Sequence, residues 1–283
     1  MVDDGSSDDT PRILSEYGDR IRAVYQENRG VTAARLEGVR QAQGQWIGFM
    51  DSDDEVEPGM YERLIRSAQA WDTDIAHCGF QILHPDGTRE CPHNTGLVRT
   101  QDRLTALRDL LEEAQIEPAL CTKLYRRALF AGLSERMDPT VKNNEDMLMN
   151  FWLFSRADRA VYEDISPYHY ILRENSASRR APDDHILFDP IRVRQIMLDS
   201  CGPELRDDAR RALIRLMLVS FRQVCLEDRK KYEKEARKLR DMIRSQREFL
   251  PSLSAKNAWQ VRLASAAPGL FRLLWRMASA LGK

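Results

Sequence analysis

The sequence has no cysteine pattern of the kind that marks a disulfide framework or a zinc site. Its 283 residues include only five cysteines, and no two of them lie close together along the chain. Disulfide frameworks and zinc sites need thiols in pairs at regular spacing, so an odd and scattered set indicates free thiols in a reducing compartment. We therefore expect reduced cysteines and a cytoplasmic location.

The sequence also lacks an excess of charge of one sign and lacks long apolar runs. Its 43 basic and 44 acidic residues give a formal net charge of −1, which argues against a nucleic-acid-binding protein. No uninterrupted apolar stretch reaches the ~20 residues that a membrane-spanning helix needs. Apolar residues make up 42% of the chain, enough for a sizeable core in one large domain or in a domain with an appendage.

The most informative segment present is an acidic cluster that follows an apolar strand pattern. Residues 46–50 have the sequence WIGFM, which predicts a strand buried on both faces, and Asp51, Ser52, Asp53 and Asp54 come directly after it. Open α/β sheets bind ligands where such strands end, and clustered carboxylates there suit a divalent cation that bridges to a phosphate. The alternative is an aspartate-rich turn that caps a helix beginning near Pro58.

Strand and helix patterns alternate along the first half of the chain. Strand patterns cover residues 21–25, 46–50, 75–83 and 159–170. Helical patterns cover residues 31–43, 59–70, 100–114, 123–131, a segment from 147, and the chain from 184 nearly to its end. This order predicts an α/β fold with a mostly parallel sheet, flanking helices and a helical C-terminal region. Right-handed crossovers would bring the loops at Asp4 and Asp51 to one edge of that sheet.

The chain begins as if at the end of a strand. Val2 and Asp3 lead into a loop with no strand body before them, and Thr10 and Pro11 suit the start of a helix. A parallel sheet ordinarily has a preceding βα unit of roughly 30 residues at such a point. We expect that this unit is missing from the sequence, which would leave a neighbouring strand at an open edge.

Four segments, taken in order, resemble the family 2 glycosyltransferases, inverting enzymes with a GT-A fold. The segments are VDDGSSDDT at residues 2–10, NRGVTAARLEGVRQAQG at 28–44, FMDSDD at 49–54 and NNEDM at 143–147. The resemblance covers residues 1–180. It implies transfer of a sugar from a UDP-sugar to a polysaccharide or glycolipid acceptor in cell-envelope glycan synthesis, with Mg²⁺ or Mn²⁺ as cofactor.

The resemblance implies donor-binding roles for five residues near the start of the chain. Asp3 and Asp4 match a loop that contacts the nucleotide base, and the alternative for them is an Asx-turn leading into the first helix. Asn28, Gly30 and Arg35 match a motif that reaches the nucleotide, because a guanidinium suits carbonyl and phosphate oxygens. The alternative for Arg35 is a solvated helix residue.

The resemblance also implies the metal ligands and the catalytic groups. Asp51 and Asp53 match the DxD motif of the family, in which Asp53 would bind the metal and Asp51 would bind the ribose or a metal-bound water. Asp146 matches the general base, and Glu145 would hold the acceptor. The alternative for Glu145 and Asp146 is that acidic residues are simply favoured in the first turn of a helix.

A segment near residue 170 resembles one that closes over the diphosphate in many members of the family. It comprises residues 168–170 (YHY), Arg173, Ser176 and Ser178. His169 would add a metal ligand and Arg173 would neutralise phosphate charge. The alternative for His169 is an ordinary residue of a sheet.

Residues 249–283 differ in charge from the rest of the chain, because they hold five basic residues and no acidic ones. Two short basic amphipathic helices would suit an anionic membrane surface, and the alternative is docking on the catalytic domain or on a partner. We expect a catalytic domain at residues 1–180, a helical region at 181–248 and a tail at 249–283. The resulting location is the inner face of the plasma membrane.

Two other functions stay open at this stage. Without its first strand, the chain would be an inactive fragment that binds a nucleotide sugar. A nucleotidyltransferase also gathers carboxylates around a metal, but it normally carries a glycine-rich phosphate loop that this sequence does not show.

Overall fold

The computed structural model describes residues 1–92, 94–113, 116–173 and 181–281. The chain divides into two compact units, Met1–Glu174 and Asn175–Lys283. The motif serines Ser176 and Ser178 lie outside the described residues.

The first unit holds strands and helices in alternation. Its strands are β1 (Val2–Asp3), β2 (Val24–Tyr25), β3 (Trp46–Gly48), β4 (Glu55–Val56), β5 (Ile75–Leu83), β6 (Arg89–Glu90), β7 (Val98–Asp102), β8 (Lys123–Arg126) and β9 (Arg159–Ile171). Its helices are α1 (Thr10–Glu16), α2 (Val31–Gln41), α3 (Met60–Ala70), α4 (Arg103–Glu112) and α5 (Glu145–Arg156). This alternation, with its flanking helices, confirms the predicted α/β fold.

The described strands form one large mixed sheet and one small sheet. The large sheet follows the path β3-β8-β5-β9-β4, with β6 joined to β5 and β7 joined to β9. The long strands β5 and β9 run parallel at its centre, and the shorter strands join them antiparallel. In the small sheet β1 pairs in parallel with β2. The expectation that the loops at Asp4 and Asp51 share one sheet edge is therefore wrong, because β1 and β3 belong to different sheets.

The core behind the site lies between α3 and one face of the large sheet. Met60, Leu64 and Ala68 recur along α3 at the spacing of one helix face, and all three are buried. They pack against residues of the central strands, namely Ala76, Cys78, Leu124, Val161, Ile165 and Tyr168. This packing holds the strand ends that carry the acidic cluster.

The strand before the acidic cluster is more exposed than its sequence predicts. Ile47 is 7% exposed, as expected, but Met50 is 52% exposed. Among the described strands β3 pairs only with β8, so it is an edge strand whose other side is open. The prediction of burial on both faces is wrong, and the acidic cluster starts from a sheet edge.

The helix predicted at residues 123–131 is wrong. Lys123–Arg126 form β8, and a short 3-10 helix, Arg127–Phe130, follows it. β8 lies between β3 and β5 and pairs antiparallel with both, so sheet pairing overrides a weak helical spacing. The helix predicted from residue 100 begins instead at Arg103, where the Asp102 side chain accepts a hydrogen bond of 2.8 Å from the Thr105 amide.

The second unit is helical, as predicted from residue 184 onward. Its helices are α6 (Asp184–Ser200), α7 (Arg206–Leu226), α8 (Glu233–Ser245), α9 (Ala255–Ala266) and α10 (Pro268–Ala280). The long helix α7 contacts α10 through Phe221 and Phe271, whose ring centroids are 5.2 Å apart. Within the described ranges no helix has both the length and the apolar character needed to cross a bilayer.

Candidate active site

The loop after β1 is tied to the start of α2 through Asp4. Its carboxylate accepts hydrogen bonds from the backbone amides of Arg29 (3.0 Å) and Gly30 (2.8 Å) and from the Gln26 side chain (2.6 Å). Burial works to raise the pKa of Asp4, but these donors outweigh it and the pKa lies below its ordinary value. Asp4 therefore stays ionised and holds the Asn28–Gly30 turn beside the first loop.

A local turn shapes the loop after β1, and a close approach at Gly5 joins that loop to the turn before α2. The Oδ1 of Asp3 accepts from the Ser6 amide at 2.8 Å, which is the local turn that the alternative reading predicts. Gly5 has φ +81°, and a Cβ there would lie 2.8 Å from the backbone nitrogen of Asn28. Only glycine fits this position without displacing the Asn28 turn.

Arg35, in the second turn of α2, connects two distant acidic segments. Its guanidinium donates to Oε1 of Glu145 at 2.7 Å and to Oδ1 of Asp51 at 3.3 Å. The Arg35 side chain is 15% exposed. Burial would lower its pKa, but the charges of Asp51, Glu145 and Asp146 raise it, so the side chain stays a cation. The alternative of a solvated helix residue is wrong.

The acidic cluster is anchored to the rest of the sheet rather than to α3. Asp54 accepts from the Tyr168 hydroxyl at 2.6 Å and from the Ile171 amide at 3.0 Å, both on β9. Helix α3 begins after Gly59 and has no side-chain cap, so the alternative of a helix-capping turn is wrong. Burial raises the pKa of Asp54 despite its two donors. Asp54 thus fixes the loop, while Asp51 and Asp53 extend from it.

Asp51 receives a second donor from the segment that precedes β8. The Cys121 thiol donates to its Oδ2 at 3.2 Å. Burial, followed by the nearby Asp51 charge, raises the pKa of Cys121 to about 12, so the thiol is protonated and able to donate. Arg35 and Cys121 therefore bind the two oxygens of one carboxylate and set its orientation.

The glutamate and aspartate at the start of α5 lie on the far side of Arg35. Glu145 is buried, whereas Asp146 is partly exposed and its Oδ1 accepts from the Met147 amide at 2.7 Å. Dehydration and the neighbouring Glu145 charge raise the pKa of Asp146 to about 6, although the Met147 amide, Arg35 and Lys123 oppose the shift. A carboxylate with such a pKa accepts protons readily near neutral pH.

A buried polar network supports this end of α5. Lys123 is fully buried and donates from Nζ to the carbonyl oxygens of Glu117 (2.6 Å) and Ala119. Asn150, on α5, donates to the Pro118 carbonyl and accepts from the Tyr125 hydroxyl at 2.7 Å. These bonds hold the segment before Cys121 against α5, and sequence reasoning did not identify any of them. The signal was an isolated lysine within the apolar stretch ALCTKLY.

The remaining motif residues lie along β9 and its end. His169 pairs in register with Glu55, and its Nε2 lies 3.3 Å from Oε1 of Glu57. Arg173 donates to the backbone carbonyl of Asp53 at 3.1 Å. Asp53 itself is exposed. Among the described residues no three acidic, histidine or cysteine side chains converge as a ready metal site.

The structure thus divides the motif residues into four groups. Arg35 joins Asp51 to Glu145 with Asp146 close by, and Asp4 joins the first loop to the turn before α2. Arg173 lies at Asp53, while His169 lies with Glu57. A cavity of about 480 Å³ lies between β1, α2 and β3, with Arg35 and Asp51 in its lining. Cys121, Lys123 and Asn150 are supporting residues that the sequence motifs do not specify, and Tyr168 of the YHY segment supports Asp54.

Comparison of the sequence with known families and proteins gives consistent matches. The family described as Glycosyl transferase family 2 matches residues 1–133. The uncharacterized glycosyltransferase EpsJ of Bacillus subtilis is 31% identical over 195 residues, which cover 66% of this chain and 57% of EpsJ. The succinoglycan biosynthesis protein ExoO of Rhizobium meliloti is 29% identical over 222 residues, covering 73% of this chain and 62% of ExoO. The chain therefore spans little more than half the length of EpsJ.

Comparison of the structures shows the fold. The crystal structure of S. aureus TarS 1–349 in complex with UDP-GlcNAc superposes with a TM-score of 0.75 at 17% sequence identity, covering 100% of this chain and 82% of that chain. A crystal structure of the same TarS fragment in complex with UDP gives a TM-score of 0.63 at 16% identity, covering 100% of this chain and 81% of that one. The GT-A-like arrangement with a helical C-terminal region, expected from the sequence, is confirmed.

Proposed function

Residues 1–133 of this chain belong to glycosyltransferase family 2, and on that premise we propose that the protein is an inverting glycosyltransferase. The proposed donor is a UDP-sugar, and the proposed acceptor is a hydroxyl of a polysaccharide or glycolipid in cell-envelope glycan synthesis. The similarity to ExoO supports the polysaccharide class, and the fold shared with a TarS structure containing UDP-GlcNAc supports a uridine nucleotide.

The observation that carries the proposal is the bridge made by Arg35. One guanidinium binds Asp51 of the DxD segment and Glu145 of the Glu-Asp pair. A metal-binding and a proton-accepting segment, 94 residues apart by their numbers, therefore lie within the reach of one side chain. Inverting transfer needs this adjacency, because the acceptor must attack the anomeric carbon opposite the departing diphosphate.

The proposed chemistry is a single displacement. Asp146 removes the proton from the acceptor hydroxyl as the hydroxyl oxygen forms a bond to the anomeric carbon. The bond from that carbon to the diphosphate oxygen breaks, UDP leaves with the electron pair, and the configuration inverts. The partial exposure of Asp146 leaves it accessible to an acceptor, and Glu145 would orient that acceptor from beside Arg35.

The acidic cluster fits a cation that is shared with the donor. Asp53 is an exposed carboxylate, whereas both oxygens of Asp51 already accept hydrogen bonds. Mg²⁺ sites commonly use one or two carboxylates and take their other ligands from water and substrate phosphates. We assign Asp53 as the Mg²⁺ or Mn²⁺ ligand and Asp51 to the ribose or a metal-bound water, with His169 as a further ligand. The bound cation would offset the charge of the departing diphosphate.

The remaining roles concern the donor. Asp3 and Asp4 would contact the base from the first loop. Asn28 and Gly30 would shape the neighbouring wall, and Arg173 would offset phosphate charge. The Arg35 guanidinium, which binds Asp51, would also reach the nucleotide. We place the reaction at the cytoplasmic face of the membrane, where a lipid-linked acceptor is exposed.

A screen of UDP-sugars tests the proposal. UDP release is measured with Mn²⁺ and with EDTA, in the presence of mixed membrane glycans. We expect Mn²⁺-dependent turnover of one donor, reduced about 100-fold or more in Asp146→Asn. Asp53→Ala should lose the Mn²⁺ dependence, whereas Asp19→Ala, an exposed carboxylate outside the site, should match the wild type. Turnover retained in Asp146→Asn would contradict the assigned base. Binding of donors without turnover would identify the chain as an inactive nucleotide-sugar-binding protein.

A further inference from the structure

Helix α10 carries an exposed row of apolar residues beside the face that packs against α7. Phe271 is buried against Phe221 of α7, and Trp275 stacks beside Phe271 and lies under Arg222. These contacts use one side of the helix. A second apolar set lies on an adjoining side and is exposed.

This second set, called here the outward stripe, follows a helical spacing. It comprises Leu270, Leu273, Leu274, Met277 and Leu281, which are between 39% and 72% exposed. At 100° per residue these positions fall within about 100° of arc. Scattered exposed apolar residues are ordinary, but five along one line of a helix mark a surface that another apolar phase covers.

The charges near the outward stripe indicate the chemistry of the partner that covers it. Residues 249–283 contain no acidic residue, and Lys256, Arg262 and Arg276 are exposed. A cleft of about 280 Å³ between α7, α8 and the start of α10 is lined by Arg229, Arg237, Arg240 and Arg272 around an apolar floor of Phe221 and Cys225. Glu233 is the one acidic residue in its lining, so this arginine cleft carries a net positive charge.

Apolar and basic surfaces side by side fit a membrane that exposes anionic headgroups. Leucine and methionine side chains would enter the boundary between headgroups and acyl chains, while arginines attract phosphate. The lack of acidic residues over 35 positions favours an anionic membrane over a protein partner of mixed charge, because such a partner would also bind acidic side chains.

We propose that the outward stripe and the arginine cleft together form a docking surface for an anionic lipid bilayer. The stripe inserts into the interface, and the cleft receives a lipid phosphate. This inference rests on the proposed function only for its biological purpose, which is to bring the enzyme to a lipid-linked acceptor at the membrane surface. It does not require donor binding or turnover.

Sedimentation with lipid vesicles tests the docking surface on the full chain. The probe is a vesicle of phosphatidylcholine containing roughly one-third phosphatidylglycerol, compared with pure phosphatidylcholine. We expect binding to the anionic vesicles only, weakened when salt is raised from about 0.1 to about 0.5 M. Leu273→Glu/Met277→Glu should lose at least about tenfold in vesicle affinity. Arg229→Gln/Arg237→Gln should lose about fivefold per arginine.

Matched variants separate binding by this surface from nonspecific hydrophobic or electrostatic binding. Leu97→Glu changes a leucine that is 58% exposed in the first unit, against 57% for Leu273, and should bind vesicles like the wild type. Arg206→Gln/Arg247→Gln removes two exposed arginines of the second unit outside the cleft and should also bind normally. Unchanged circular dichroism and thermal unfolding establish that each variant is folded.

Three outcomes would overturn the proposal. Equal binding to neutral and anionic vesicles would remove the role of the cleft. Wild-type affinity in the folded Leu273→Glu/Met277→Glu variant would remove the role of the stripe. Concentration-dependent dimerisation that this variant abolishes, without vesicle binding by the wild type, would identify a second copy of the chain as the occupant. If the wild-type chain bound anionic vesicles but showed no transferase activity, the proposed function would be refuted and the docking surface would stand.

Discussion

Arg35 lies among three carboxylates that belong to two distant parts of the chain. It donates to Asp51 and Glu145, and the charge of Asp146 acts on it as well. A planar guanidinium can bind two carboxylates at once in fixed directions, which an ammonium cannot do. Arg35 is thus a positioning residue for both acidic segments, in addition to its proposed contact with the donor.

Replacing Arg35 by lysine tests this role. The change keeps the positive charge but removes the forked geometry, so we expect kcat to fall about 10- to 100-fold with a smaller change in the unfolding free energy. Steady-state kinetics with the donor identified in the screen measure the effect. The control is Arg40→Lys, on the same helix, because Arg40 is exposed and pairs with Glu37, one turn earlier on α2. Equal losses in both variants would show a general effect on α2.

The raised pKa of Asp146 predicts a pH-dependent rate. Asp146 can act as the proposed base only when ionised, and its pKa is about 6 in the folded protein. We expect kcat/KM to rise with pH and to level off above roughly pH 7. Rates in a series of buffers at constant ionic strength measure the midpoint. A flat profile between pH 5 and about 8 would contradict Asp146 as the base.

The same shift predicts that Asp146 lowers stability at neutral pH. Its folded pKa of about 6 lies above the ordinary aspartate value of 3.8, so the folded state favours the protonated form. The resulting stability is present at low pH and is lost as the pH rises through 6. Asp146→Asn should therefore be more stable than the wild type at pH 7.5 by about 3 kcal/mol, with the advantage shrinking toward pH 5. Urea unfolding at both pH values measures it, and a destabilised variant at pH 7.5 would contradict the sign.

At the scale of elements, α5 is hydrogen-bonded to the segment that precedes β8. Lys123 and Asn150 bind consecutive carbonyl groups of residues 117–119, and Cys121 follows and binds Asp51. The carboxylates on α5 and in the acidic cluster are therefore positioned against the same short segment. A buried cation is tolerated here because its donors meet backbone oxygens.

Removing the lysine tests this network. Lys123→Met leaves the carbonyls of Glu117 and Ala119 without their donor, so we expect a loss of about 2–4 kcal/mol in unfolding free energy. Urea denaturation measures the loss. Arg127→Met replaces a nearby exposed basic residue and should change stability by less than about 0.5 kcal/mol. A similar small change for Lys123→Met would show that the network does not support the fold.

The elements that the sequence predicted well are those with a strong local pattern. Helices α2, α3 and α5 and strands β5 and β9 lie within a few residues of their predicted positions, because each has a regular apolar spacing or a clear start. β8 and residues 100–102 of β7 were predicted as helix, since these short strands carry little local preference and their structure comes from pairing with β3, β5 and β9. The exposure of Met50 was missed for the same reason, because sheet order is not a local property.

At the scale of the whole molecule, the two compact units carry different proposed tasks. The motif residues described by the structure all lie within Met1–Glu174, and the basic apolar surface lies within Asn175–Lys283. Donor binding should therefore stabilise the first unit, whereas lipid binding should involve the second. The two activities can be measured and removed separately.

Thermal unfolding with nucleotide tests donor binding in the whole chain. UDP at 100 times its dissociation constant should stabilise the protein by about 2.7 kcal/mol. We expect this shift with Mn²⁺ present and little shift with EDTA, because the Asp53 carboxylate and the diphosphate are both anionic and repel each other without the cation. Asp53→Ala should lose the Mn²⁺-dependent part, while Asp19→Ala keeps it. A shift of equal size in EDTA would contradict the metal-linked donor site.

The sequence by itself determined the fold class and the residues that form the four motifs, because both depend on local spacing and on residue types that occur together. Only the tertiary structure decided that Arg35 bridges Asp51 and Glu145, that Asp54 anchors the acidic loop to β9, and that Lys123 binds the carbonyl groups of the segment before β8. Those relations join residues that are distant along the chain or buried by other elements. Their hydrogen bonds and shifted pKa values arise from the surroundings that folding creates, and no local pattern encodes them.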